Sequence, residues 1–246
     1  MRRKRSPRWF APMAIGFAIA ATVFLPRFIR ELERKIPFTV RNLHVQGAKA
    51  LSKIEVQALS GIQEGGPLFG RWRDEALKKM ALHPRLERVT VARDVTGQIV
   101  VRVAERKVAA LVNLDRLHFV DRDGNVLEAA DASSPEAAKL VVLTGPWKEK
   151  DAPSLSSRLT EGLEIRDALV QAGFAEKDIS EIHFDPAFGW ILYRMNTKTP
   201  AVIGWDLFGE KMKRLVRVLQ DLKGKEGVVR ELDLGFRDRA IVKIRK

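Results

Sequence analysis

An α+β chain hung from a single N-terminal transmembrane helix is what this order of residues predicts, and three observations predict it. A run of uncharged, mostly apolar residues from Trp9 to Pro26 is fenced by Arg2, Arg3, Lys4, Arg5 and Arg8 before it and by Arg27 after it. From Phe38 the apolar residues recur first at strand spacing, then twice at helix spacing, then again at strand spacing, a βααββ order. Beyond Lys107 short strand-like stretches are interrupted by two helical stripes, the pattern of a β-sheet domain with two packing helices.

The apolar run, residues 9–26, would rise about 27 Å as a helix, close to the hydrocarbon thickness of a bilayer. Residues 1–8 form a basic tail without acidic residues, whereas the linker 27–37 mixes Arg27, Arg30, Arg34 and Lys35 with Glu31 and Glu33. By the positive-inside bias the N-terminus is cytoplasmic and the rest of the chain lies across the membrane. A cleaved signal peptide begins the same way, but the small-residue spacing Ala18-Ile19-Ala20 sits inside the run and Phe24, Leu25 and Pro26 follow it. An uncleaved anchor fits better.

Charge and cysteine content narrow the function classes. Of the net +13, residues 1–35 carry +7, leaving +6 interspersed with Asp and Glu over the remainder. That distribution argues against a nucleic-acid partner despite the high isoelectric point. The chain has no cysteine, so it has neither disulfides nor thiolate chemistry.

The first soluble module spans 38–106. Leu43 and Val45 alternate and stop at Gly47, a short strand. Ser52-Lys53-Ile54-Glu55 is a capping box that opens a helix carrying Ile54 and Ala58 inward, and Gly61 ends it. Asp74 caps a second helix with Leu77, Met80 and Ala81 on one face, closed by His83-Pro84. Val89 and Val91 alternate in a strand, and Thr96-Gly97 turns the chain into another through Ile99, Val101 and Val103.

The second module spans 107–246. Leu117 to Leu127 reads as two strands about an Asp-Gly turn, Leu140 to Leu143 as a strand, and Lys148 to Ser157 as a polar surface loop holding Pro153. Ile165, Ala168, Leu169 and Ala172 share a helical stripe ended by Gly173. Trp190 with Leu192, and Ala201 to Trp205, give two more strands. Asp206 caps a second helix whose apolar face is Phe208, Met212, Leu215, Val216, Leu219 and Leu222, with Lys211, Lys213, Arg214 and Arg217 on its solvated side. Val229 to Leu234 and Ala240 to Ile244 are the last strands.

Several strings carry a family likeness. Val40 to Gly47, Leu51-Ser52, Gly65 to Phe69 and His83 to Val91 resemble a POTRA domain, and Ile99 to Ala109 is similar to the exit from POTRA in the cell-division family FtsQ/DivIB, with Lys107 where that family usually has Pro. Phe119-Val120-Asp121 with Gly124, Leu143-Thr144-Gly145, Val202-Ile203-Gly204, Glu210 to Leu215 and Leu232 to Phe236 resemble the β domain of the same family. Gly235 and Phe236 stand where that family commonly has Arg and Tyr. The POTRA-bearing outer-membrane transporters also carry a transmembrane β-barrel, for which this chain has no room.

No constellation for catalysis, metal or cofactor appears. His44, His83, His118 and His183 are scattered, and Gly124 is fourth rather than sixth from Asp121, against a calcium loop. Gly65 to Arg71 brushes phosphate-loop spacing, but Arg71 and Trp72 replace the required Lys and hydroxyl, and Pro67 removes an N–H. No nucleophile elbow is present.

The resemblance implies a bitopic inner-membrane scaffold of the bacterial divisome, not an enzyme, working at the septum with its C-terminal domains periplasmic. It implies FtsB and FtsL-type partners, joined through the last strands of the β domain, and recruitment through POTRA by other divisome membrane proteins. The implied partner surface is Phe236, Ala240, Val242 and Ile244 with the cationic Arg237 and Arg239. An edge strand offers unpaired N–H and C=O groups to such a segment, although alternate side chains of that strand could equally fill the domain's own core. A membrane-tethered periplasmic POTRA adaptor or chaperone, in export or envelope assembly, and an anchored cell-wall hydrolase are the rival readings.

Overall fold

Alternation and capping turn into structure over most of the chain. A computed structural model describes residues 38–147, 152–197 and 199–245. The basic tail, the apolar run and the linker lie outside the described residues, among which no helix is long and apolar enough to cross a membrane. The chain divides into two units, Met1–Glu105 and Arg106–Lys246.

In the first unit β1 (Asn42–Gln46) is followed by α1 (Lys53–Ser60), α2 (Trp72–Ala81), β2 (Leu86–Arg93) and β3 (Gln98–Glu105). The sheet order is β1-β3-β2, with β1 parallel and β2 antiparallel to β3. Ser52 and Glu55 form the expected capping box, and Gly61 takes the left-handed C-cap conformation. The helix turns a different face inward, however. Val56 and Ser60 are buried with Leu59 half-buried, while Ile54 and Ala58 are exposed. Ile54 lies two residues from Val56, which helix geometry puts on the opposite side. In α2 the inward residues are Ala76, Leu77 and Met80; Ala81 is exposed. Asp74 is not its cap. The helix starts at Trp72 behind Arg71, which makes no side-chain cap bond, so Asp74 sits in the first turn and favours the helix by charge. Ile99, Val101, Val56 and Met80 are fully buried in this core.

The second unit contains β4 (Val108–Asn113), β5 (Leu117–Asp121), β6 (Val126–Ala129), β7 (Val142–Thr144), α3 (Ala152–Gln171), β8 (Ile179–Asp185), β9 (Gly189–Arg194), β10 (Ala201–Gly204), α4 (Phe208–Asp221), β11 (Val229–Asp233) and β12 (Ile241–Ile244). They form one mixed sheet in the order β12-β11-β10-β9-β8-β7-β4-β5-β6. The pairs β10/β11, β4/β7 and β7/β8 are parallel. Both helices cover one face, where Leu159, Leu169, Trp190, Leu192, Met212 and Leu215 share a core. Leu111, Phe119, Leu127 and Ala137 make a smaller cluster; because Leu111 alternates with Ala110 and Val112 of the main core, it lies on the other face.

Four expectations change here. The strand expected over Leu140 to Leu143 is β7, Val142–Thr144, which starts later because Leu140 closes a short 3-10 turn. The surface loop expected from Lys148 to Ser157 is helical from Ala152 onward, and residues 148–151 lie outside the described residues. Asp206 is not the cap of α4; Leu207 occupies that position with φ 54° and no side-chain bond. Instead Asp206 pairs with Lys211, which is buried, not solvated. The strands β4 and β8 carry no clear strand signal in the sequence. His183, isolated in the sequence, has its Nδ1 2.6 Å from the Thr144 hydroxyl, which also bonds Glu181 across the β7/β8 pair.

The turn between β5 and β6 is organised by Asp121, only 4% exposed. Its carboxylate accepts hydrogen bonds from the Asp123 and Asn125 N–H groups, the Asn125 side chain and Arg106 Nη1, at 2.8 to 2.9 Å. Gly124 in the same turn has φ 75°, and a Cβ there would lie 2.4 Å from the Ser156 carbonyl on α3. Burial pushes the Asp121 carboxyl up, but the bonds from Asn125, Arg106 and Asp123 outweigh it and hold the group below the usual carboxylate range. A depressed folded value stabilises the fold above the ordinary pKa near 4 and loses that contribution as pH falls through the lower folded one. Replacing Asp121 with Asn should therefore lower the stability of the second unit by about 1–3 kcal/mol at pH 7. The loss should shrink below about pH 4. Urea unfolding at both pH values checks this; an unchanged pH dependence would contradict it.

Candidate functional site

Among the described residues, β12 at the rim of the sheet is paired on one side only. β12 runs antiparallel to β11, with Leu232 opposite Val242 and Asp233 opposite Ile241, and it ends the strand order. The Arg245 N–H donates to the Val228 carbonyl at 2.8 Å. Backbone groups alternate in direction along a strand. The N–H and C=O of Lys243 and Ile241 therefore follow Arg245 toward β11, and those of Val242 and Ile244 face the open side.

The six residues expected to form the partner surface separate into three groups. Ala240 and Val242 are half-buried and pack on the unit's own core, so their side chains are spent within the fold. Phe236 is 42% and Ile244 64% exposed, and Ile241, not among the six, is 37% exposed. Arg237 and Arg239 are exposed on the loop between β11 and β12. Arg239 stacks over the Phe236 ring at 5.2 Å and lies 3.9 Å from Asp238. Lys243 pairs with Glu231 at 2.6 Å, and that bond raises its pKa.

Two residues of α4, read as solvated in the sequence, shape this edge. Arg214 spreads its guanidinium across the loop, Nη1 donating to the carbonyls of Phe236 and Arg239 and Nη2 to that of Arg237, at 2.6 to 3.3 Å. Lys211 Nζ donates to the Ile203 carbonyl at 2.9 Å and to Asp206 at 3.0 Å, tying α4 to the end of β10. A signal existed for Lys211: it stands three residues after Phe208 and four before Leu215, on the apolar stripe. The loop itself is turned by Asp233, whose carboxylate accepts the Gly235 N–H at 2.9 Å.

Fold and edge define a class, a βααββ unit followed by a mixed sheet whose edge strand β12 is left uncovered among the described residues. Residues 38–106 match the family described as POTRA domain, FtsQ-type, and residues 110–235 match Cell division protein FtsQ/DivIB, C-terminal. The cell division protein FtsQ of Geotalea daltonii is 28% identical over 210 residues, 84% of this chain and 76% of that protein. The FtsQ of Anaeromyxobacter sp. (strain K) is 32% identical over 200 residues, 79% of this chain and 67% of that protein. Among solved structures, the major extracytoplasmic domain of the trans isomer of DivIB from Geobacillus stearothermophilus matches 49% of this chain and 97% of its own, at 18% identity and a TM-score of 0.29. This chain belongs to the FtsQ/DivIB family of cell-division proteins.

Proposed function

We propose that this protein is a bitopic scaffold of the division machinery, anchored in the inner membrane by residues 9–26 with both units on the periplasmic side, and that it captures FtsB/FtsL-type partners at the septum. Capture runs through β12. A partner segment adds as a further strand to the open backbone of Val242 and Ile244, flanked by Phe236, Ile241, Arg237 and Arg239. The observation that carries this reading is the one-sided pairing of β12 beside exposed apolar residues, an arrangement that invites strand addition. The work is binding, not catalysis.

The loop held by Arg214 keeps the start of β12 in place, so the acceptor edge is ordered before the partner arrives. Preorganisation of this kind lowers the entropy lost on binding. The full-length chain in detergent, presented with the cognate FtsB–FtsL periplasmic segments, is expected to retain them in a pull-down. A folded chain that retains neither would sink the proposed interface and favour the adaptor reading.

A further inference from the structure

Where the chain enters the first unit, aromatic rings, a bare aliphatic tip and guanidinium groups collect at one end. The tip is Val95, 78% exposed in the β2–β3 turn. Beside it the Arg41 N–H donates to the Gly97 carbonyl at 2.8 Å, and Thr39 bridges to Pro67. Phe69, 47% exposed, meets the Phe38 ring edge-on at 5.3 Å. Arg93 lies over the Phe69 ring at 4.8 Å, fixed there by its bond to the Leu68 carbonyl.

We propose that this end of the first unit rests on a bilayer surface rich in anionic headgroups, with Val95 and Phe69 entering the interface and Arg41, Arg71 and Arg93 meeting the phosphates. It rests on the reading of residues 9–26 as a membrane anchor. Eleven residues separate that run from Phe38, and even fully extended they reach only about 40 Å. Phe38 is itself part of the patch, so the tether joins the first unit at this end. Aromatic rings with arginines beside them are the chemistry of the membrane interface, where the apolar part sinks and the guanidinium stays at the headgroups.

Arg41, Arg71 and Arg93 are exposed. Of the carboxylates in the same segments, Asp94 is turned into its own hairpin, accepting from Thr96 N–H, Thr96 Oγ1 and Gln98 N–H, Asp74 and Glu75 lie in the first turn of α2, and Glu64 is exposed beside Gly65. The opposite end serves as an internal contrast. Leu82 is 84% exposed there, one residue from His83, whose carbonyl binds the Leu86 N–H, and Leu86 pairs with Glu105 at the far end of β3. Leu82 is as bare as Val95 but stands roughly a strand's length from the tether.

Because the chain contains no cysteine, Val95→Cys and Leu82→Cys each place one fluorescent label on the full-length protein. The labelled chains are reconstituted in vesicles of phosphatidylglycerol and phosphatidylethanolamine. Brominated lipid is expected to quench the Val95→Cys label several-fold more than the Leu82→Cys label, with aqueous iodide showing the reverse order. Arg41→Glu with Arg71→Glu should narrow the difference, as should replacing phosphatidylglycerol with phosphatidylcholine. A chain that floats with the vesicles while both labels stay equally open to iodide overturns this inference alone. A Val95→Cys label shielded from both quenchers overturns it too and assigns the face to protein contact. A chain that does not float at all overturns the anchor reading and this inference with it.

Discussion

Replacing Ile244 with proline is expected to abolish capture of the FtsB–FtsL segments while both units stay folded. The Ile244 side chain is 64% exposed, and by alternation from Arg245 its N–H points away from β11. Proline there removes a donor that no strand of the fold uses, and its ring stands where an added strand would lie. Affinity should fall at least about tenfold, the loss of one net hydrogen bond plus a steric clash. Lys243→Pro is the counterpart, because the Lys243 N–H faces β11. That variant should loosen the β11–β12 pair itself and lower thermal stability. Calorimetric titration of both variants, with circular dichroism to monitor folding, separates the effects. Wild-type affinity in a folded Ile244→Pro chain would refute strand addition at this edge.

Replacing Lys211 with alanine should lower the stability of the second unit by about 2–4 kcal/mol. Its side chain is 1% exposed and fills space between α4 and the end of β10. The ion pair itself contributes little, since Asp206 is 64% exposed and solvent screens it. Most of the loss comes from the Ile203 carbonyl left without its donor and from the volume left unfilled. Lys211→Met restores volume without the hydrogen bond and should fall between alanine and wild type in denaturant unfolding. Equal midpoints for wild type and Lys211→Ala would show that the buried amine contributes nothing. Since Arg214 on the same helix holds the carbonyls of Phe236, Arg237 and Arg239, the alanine variant should also weaken partner capture.

The βααββ order of the first unit was legible because its signals are local. Ser52 with Glu55, the stop at Gly61 and the turn at Thr96-Gly97 each act within a few residues. Inward faces were less legible, as Ile54 shows: hydrophobicity does not tell which side of a short helix meets the sheet. The strands β4 and β8 escaped for identifiable reasons. In β4, Ala109 to Val112 are all buried because both faces of the sheet are covered there, so no alternation is visible. In β8 a register shift between Ile179 and Glu181 puts Ile179 and Ile182 both inward, a spacing of three that mimics a helix. Pro153 suggested a loop, yet proline is tolerated in a helix's first turn. At the candidate site the exposed Phe236 and Ile244 could be named from the family likeness, but whether Val242 faces a partner or the core depends on a cross-strand pairing that only the folded sheet displays.

The strand order also carries a timetable. From β7 to β12 the strands stand side by side in the same succession as in the chain. Each newly emerged strand covers the edge left by the one before, and among the described strands β12 follows β11 at this rim. On the proposed reading, a chain still being delivered offers β10 or β11 at its rim, with different side chains and no Phe236 loop beside it. A partner that fits only the β12 rim would thus pass over copies in which β12 has not yet paired with β11.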